Sequence, residues 1–114
     1  MLKQNLKVPR QYIAFILKKG HESISQLFIA RYKKNEEHFS RYRVIISKKL
    51  HPKAVNRNRL RRQVYEAIRK NLSQNQSNFD IILIPKKNIL NKSYQEIEKD
   101  ISSNILNLKE KTEL

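Results

Sequence analysis

The stretch Ser47–Arg69, SKKLHPKAVNRNRLRRQVYEAIR, decides how this chain is read. Pro52 breaks the extended pattern before it, and the spacing from Ala54 to about Leu72 predicts a helix. At about 100° per residue, Leu60, Val64, Ala67, Ile68 and Leu72 gather on one arc, which is a core face. Beside it runs a second stripe of Asn58, Arg61, Arg62, Tyr65 and Arg69, with Arg59 and Lys70 further round. Within the helix only Glu66 is acidic. Arg57, Arg59, Arg61 and Arg62 fall within about two turns and repel one another unless something anionic intervenes. A solvated charged face normally mixes signs, and this one does not.

Arginine suits such a surface. Its planar fork binds phosphate in bidentate fashion and stacks on bases, whereas lysine acts more as a point charge. Asn58 adds a neutral donor and acceptor, and Tyr65 adds a flat ring that either stacks on a base or shields the helix edge. Ser47-Lys48-Lys49 and Lys53 extend the patch to the helix entry. The candidate nucleic-acid contacts are Lys48, Lys49, Lys53, Arg57, Asn58, Arg59, Arg61, Arg62, Tyr65 and Arg69.

Working outward, the whole chain is basic: 114 residues carry 25 Lys and Arg against 10 Asp and Glu, a net charge of +15. Residues 31–70 alone hold 14 basic and 3 acidic side chains, a net +11, while residues 88–114 come to −1. The basic residues of that middle third alternate with Val, Ile, Leu and Tyr, so the charge belongs to a folded surface. Such an excess calls for a polyanionic partner, nucleic acid first and an anionic membrane surface second. One domain spanning 1–114 is the natural prior at this length. No run approaches the roughly 18 apolar residues of a membrane span, and the N-terminus shows no secretory pattern. The absence of cysteine removes disulfides, thiolate metal sites and Cys nucleophiles together.

Pro9–Lys19 reads as a helix, with Gly20, the only glycine, at the position after its end. Gln26–Lys33 and Arg41–Lys49 alternate as strands, with room for a short strand before Gln26. Ser73–Asn78 is a polar loop, and Phe79–Ile84 is apolar enough for a buried strand. Ser93–Leu108 reads as a helix opened by a Ser93/Glu96 capping box, its last residues fraying. Glu96, Glu98 and Asp100 follow that cap, where carboxylates favour the helix dipole. The order is α-β-β-α-β-α, an α+β arrangement.

The run from Ser47 to Arg69 resembles the signature of the protein subunit of bacterial ribonuclease P. The matching residues are Ser47-Lys48-Lys49, Ala54-Val55, Arg57-Asn58-Arg59, Leu60, Arg61-Arg62 and Glu66. The chain departs from that pattern at Tyr65, where Arg is usual, and at Arg43, where the second strand commonly has glycine. The resemblance implies a small α/β sandwich with a mixed four-stranded sheet, three helices and a left-handed βαβ crossover, against the usual hand. It also implies an endoribonuclease subunit that partners a catalytic RNA and assists removal of the 5′ leader of precursor tRNA. The Mg²⁺ would be bound mainly through that RNA. A cytoplasmic protein, monomeric outside the ribonucleoprotein and with no membrane partner, follows.

The same resemblance implies a cleft between the first helix and the sheet that receives the leader. Tyr12 pairs on one helix face with either Phe15 or Ile16, and Phe28, Ala30 and Tyr32 share a strand face. The candidate leader contacts are Tyr12, Phe15, Ile16, Phe28 and Tyr32, although a packed core accounts for many of these residues equally well. His21, His38 and His51 show no metal-ligand spacing, and no carboxylate pair is placed to hold two metal ions. The polypeptide therefore reads as a binding protein without catalytic or metal-ligating residues of its own. A structural RNA-binding protein of ribosomal type stays open as the alternative, and it would need no leader cleft.

Overall fold

The computed structural model describes residues 2–74 and 77–109. In chain order the elements are α1 (Arg10–Lys19), β1 (His21–Ile24), β2 (Phe28–Lys34), β3 (Arg41–Val44), α2 (Ala54–Lys70), β4 (Phe79–Pro85) and α3 (Tyr94–Asp100). The strands form one sheet in the order β1-β2-β4-β3. β2 is antiparallel to β1 and β4, whereas β3 is parallel to β4 and reaches it through α2. The expected α+β class with three helices and a mixed four-stranded sheet is what forms, and the short strand before Gln26 is β1. No helix among the described residues is long and apolar enough to cross a membrane. The fraying expected of the last residues falls on 110–114, and part of the Ser73–Asn78 loop falls on 75–76, both outside the described residues.

The sheet has two differently covered faces, because side chains alternate along each strand. Phe28, Ala30, Tyr32, Tyr42, Val44, Phe79, Ile81 and Leu83 point to one side and form the main core with Leu60, Val64, Ala67 and Ile68 of α2 and Ile97 of α3. Register confirms the shared face: Ala30 stands opposite Leu83, and Tyr32 opposite Ile81. On the other side Ile82 packs against Ile16 and Val8, with Ile13, Leu17, Ile45 and Ile84 half-buried around them. This smaller cluster is the seat of α1. β4 is buried on both sides, which explains its unbroken FDIILI run.

Several expectations are corrected. β3 ends at Val44, and Ser47–Leu50 closes a turn through a hydrogen bond from Leu50 N–H to the Ser47 carbonyl at 3.1 Å. Lys48 and Lys49 thus stand on a turn instead of a strand end. α3 is regular only to Asp100, and Ile101–Ile105 continues as a wider π turn. The Ser93/Glu96 capping box forms as expected. Asp100, expected to favour the helix dipole, is buried and clasps the β1–β2 turn, accepting from Ser25 Oγ at 2.7 Å and Leu27 N–H at 3.0 Å.

Gly20 has φ −70°, so no left-handed conformation demands it. Space does. A Cβ there would lie 2.5 Å from the Ile16 carbonyl oxygen and 3.0 Å from that of Tyr32. The chain turns from α1 into β1 with backbone against backbone, and only glycine fits.

Candidate nucleic-acid interface

Two surfaces are built, one on α2 and one between α1 and the sheet, and Lys49 of the turn before α2 lies beside Leu17, Ile45 and Ile84 at the border between them. The first is α2 with the turn before it. Lys48, Lys49, Lys53, Asn58, Arg59, Arg62 and Arg69 are exposed, and Arg57 and Arg61 are half-buried. The stripe is not uniform. Arg57 Nη1 donates to the carbonyls of His51 at 2.8 Å and Pro52 at 2.9 Å, so it straps the turn onto the helix. His51 Nδ1 accepts from Lys53 N–H at 3.2 Å and tightens the same turn. Arg61 Nη1 donates to Asn58 Oδ1 at 2.7 Å. Arg69 forks onto Glu66, its Nε at 3.0 Å from Oε2. The pair holds the Arg69 guanidinium above and the Glu66 carboxyl below their ordinary pKa values, chiefly through that hydrogen bond. Arg59 and Arg62 are left with no hydrogen bond or ion pair to other described residues. Among the described residues, they are the two arginines of α2 left free to meet a phosphate.

Tyr65 does not belong to this surface. It is 2% exposed, and its hydroxyl accepts from Val44 N–H at 3.1 Å. The N-terminal segment covers that flank of α2, with Leu6 against the core and the Lys7 ammonium 5.0 Å from the Tyr65 ring centre. Helical geometry placed Tyr65 beside the core arc. A tertiary cover that the helix alone cannot announce put it inside.

The second surface is a cleft of about 500 Å³ between α1 and the sheet. Tyr12, Phe15 and Ile16 line it from the helix, and Lys33, Lys34, Asn35, Arg41 and Asp80 are among those lining it from the sheet side. Tyr12 and Phe15 are 44% and 46% exposed, unusual for large rings on a helix that packs on a sheet. Each faces a cation: Arg41 lies 5.8 Å from the Tyr12 ring centre, and the Lys33 ammonium 5.4 Å from that of Phe15. Ile16 is buried beneath them against Ile82. The floor is held by Asp80, which accepts from Arg41 Nε and Nη2 at 2.8 Å each and from Asn35 Nδ2 at 2.9 Å. That contact raises the Arg41 guanidinium pKa further.

Phe28 and Tyr32 are not cleft residues. Both point into the α2/α3 layer, where Tyr32 meets Phe79 edge-on at 5.2 Å and donates to the Lys109 carbonyl at 3.1 Å. The opposite set on the strands, Lys33 with Arg41 and Asp80, supplies the floor. A signal was available. Arg31, Lys33, Arg41 and Arg43 all fall on the alternate positions of their strands, which marks that face as the basic one.

Exposed cations on one side and a cation-backed aromatic cleft on the other define a nucleic-acid-binding α+β protein. The family model for ribonuclease P matches residues 2–109, and the chain belongs to that family, the protein component of ribonuclease P, whose role is maturation of tRNA 5′ ends. It is similar to the ribonuclease P protein component of Thermotoga sp. strain RQ2, with 30% identity over 97% of this chain and 93% of the relative. It is also similar to that of Fusobacterium nucleatum, with 37% identity over 73% of this chain and 78% of the relative. Among solved structures, the RNase P protein from Thermotoga maritima superposes with a TM-score of 0.83 at 24% identity, covering 91% of this chain and 98% of that one. The Staphylococcus aureus RNase P protein gives 0.70 at 25% identity, covering 97% and 99%.

Proposed function

We propose that this chain is the RNA- and leader-binding half of a ribonucleoprotein whose RNA performs the hydrolysis. Arg59 and Arg62, with Lys48, Lys49 and Lys53, dock the catalytic RNA through its phosphates. Arg61, Asn58 and Arg69 flank them, and Arg57 fixes the turn. The α1 cleft receives the single-stranded 5′ leader of precursor tRNA, with bases on Tyr12 and Phe15 and phosphates near Lys33 and Lys34. The observation that carries this reading is the separation of the two surfaces. A protein with one RNA to hold has no use for a second, aromatic cleft across the sheet.

Mg²⁺ would be held by the RNA, where it supplies the charge stabilisation for phosphodiester cleavage. Three acidic side chains line the cleft, Asp80, Glu36 and Glu37; both Asp80 oxygens are engaged by Arg41 and Asn35, and Glu37 lies 3.9 Å from Arg41. The protein's part is to bind and orient. It would act in the cytoplasm and be monomeric outside the ribonucleoprotein.

The test is the affinity of the reconstituted ribonucleoprotein for precursor tRNA with a leader, against the same tRNA without one. Tighter binding of the leader-bearing form is expected. Equal affinities, with the protein shown to be bound, would refute the role of the cleft.

A further inference from the structure

On the far side of the sheet from the leader cleft, α2 and α3 enclose a groove of about 410 Å³. Arg59, Arg62, Gln63 and Glu66 line it from α2, and Tyr94 lines it from the start of α3. The volume lies within the roughly 300–1,000 Å³ of ordinary small-ligand sites. Positions 59, 62, 63 and 66 follow the spacing that stacks side chains along one helix face, so the four reach one place. Arg59, Arg62 and Gln63 have no hydrogen bond or ion pair to other described residues. Glu66 is engaged by Arg69.

Tyr94 is unusual in the same way. Its hydroxyl is buried and has no hydrogen-bond partner among the described residues. The Lys70 ammonium lies 5.3 Å from its ring centre. Burial first, then Glu98 and Glu66, push the phenol above its ordinary pKa, so it stays a donor. An orphaned buried donor is destabilising, and native proteins seldom leave one without a reason.

The groove therefore offers two guanidinium groups and an amide without partners among the described residues, and the wall of an aromatic ring whose buried hydroxyl also lacks one. Two arginines alone would suit a phosphate. The amide and the ring suit what hangs from it. We propose that the α2–α3 groove takes one unpaired nucleotide of the docked RNA, its phosphate on Arg59 and Arg62 and its base against Tyr94 and Gln63. An unpaired base of a loop or bulge enters such a pocket at little cost, since it has no pairing to give up. The proposal rests on the RNA-docking role given to α2, and it turns part of that surface from a phosphate contact into a site that reads a base.

Two measurements on the full chain test it. First, ¹⁵N-labelled protein is titrated separately with each nucleoside 5′-monophosphate and with inorganic phosphate. At least one nucleotide should shift the Gln63 side-chain amide and the Tyr94 backbone amide further, and at lower concentration, than phosphate does. Identical responses to nucleotide and phosphate, or nucleotide responses confined to the α1 cleft, would overturn the pocket. Second, Gln63→Ala, Tyr94→Phe and the double variant Arg59→Ala/Arg62→Ala are compared in binding a bacterial ribonuclease P RNA. Gln63→Ala and Tyr94→Phe should each lose several-fold in affinity with an unchanged salt slope. Tyr94→Phe should do so with a thermal midpoint equal to or above that of the parent, because the orphaned hydroxyl is gone. Parental affinity in both single variants, alongside weakened binding in the arginine double variant, would remove the pocket and leave the docking role standing. Parental affinity and salt slope in the double variant as well would remove the docking role itself.

Discussion

The hydroxyl of Tyr65 accepts a hydrogen bond from the backbone N–H of Val44 at 3.1 Å, joining α2 to the edge strand β3 inside the main core. On its other side β3 pairs with β4, so this N–H faces away from the sheet, and the tyrosine supplies the partner the missing strand would have supplied. Tyr65→Phe keeps the ring and leaves the Val44 N–H unsatisfied. Denaturant unfolding should show a loss of about 1–3 kcal/mol. RNA affinity and its salt dependence should stay at the parental values. A drop in affinity with stability preserved would return Tyr65 to the RNA-facing surface.

Arg59 and Arg62 are exposed, and their side chains have no partner among the described residues. Each phosphate contact contributes roughly 0.7–0.9 to the slope of log K against log salt. Changing both residues to Ala should weaken RNA binding and flatten that slope by about one to two units. Arg57→Ala behaves differently. It removes the strap to the His51 and Pro52 carbonyls, so the loss should appear in unfolding midpoints as well as in affinity.

Tyr12 and Phe15 lie nearly half exposed over the cleft, so replacing either with Ala should scarcely alter stability. Base–aromatic stacking is worth about 1–3 kcal/mol. Each variant should cost up to that amount in the leader-dependent part of precursor binding, measured as the difference between leader-bearing and leaderless tRNA. Phe28→Ala and Tyr32→Ala, inside the core, should instead fail as stability variants.

The capping box gives a pH prediction. The Glu96 carboxyl is held below its ordinary value of 4.5, first by the Ser93 backbone N–H and then by the Ser93 hydroxyl. A carboxyl lowered by folding contributes stability above its unfolded pKa and loses it as pH falls through the lower folded value. Glu96→Gln removes that proton-linked part. Its stability deficit relative to the parent should be constant near neutrality and narrow below about pH 4.5. An undiminished deficit at pH 3 would mean that the charge of Glu96 plays no part in the cap.

Helix α2 was legible because its apolar residues recur with helical period and its arginines do not interrupt them. β4 was legible because a strand covered on both faces is apolar throughout. What sequence reasoning missed depended on which layer covers a face. Phe28 and Tyr32 share one strand face, as alternation predicts, but alternation does not say whether α1 or α2 lies over it. Tyr65 is buried by residues some 60 positions upstream, and Asp100 is spent on a turn 73–75 residues away. Arg57 and Arg59 look alike in sequence, and only the fold of the Ser47–Lys53 turn makes one a strap and the other a free cation.

The most direct test of the central claim is reconstitution. The purified protein is added to a bacterial ribonuclease P RNA at an Mg²⁺ concentration too low for the RNA alone, and 5′ cleavage of precursor tRNA is followed. Cleavage should rise well above the RNA-only rate, and the rise should be lost in Arg59→Ala/Arg62→Ala. No stimulation with a matched RNA, or full stimulation by the double variant, would contradict the account.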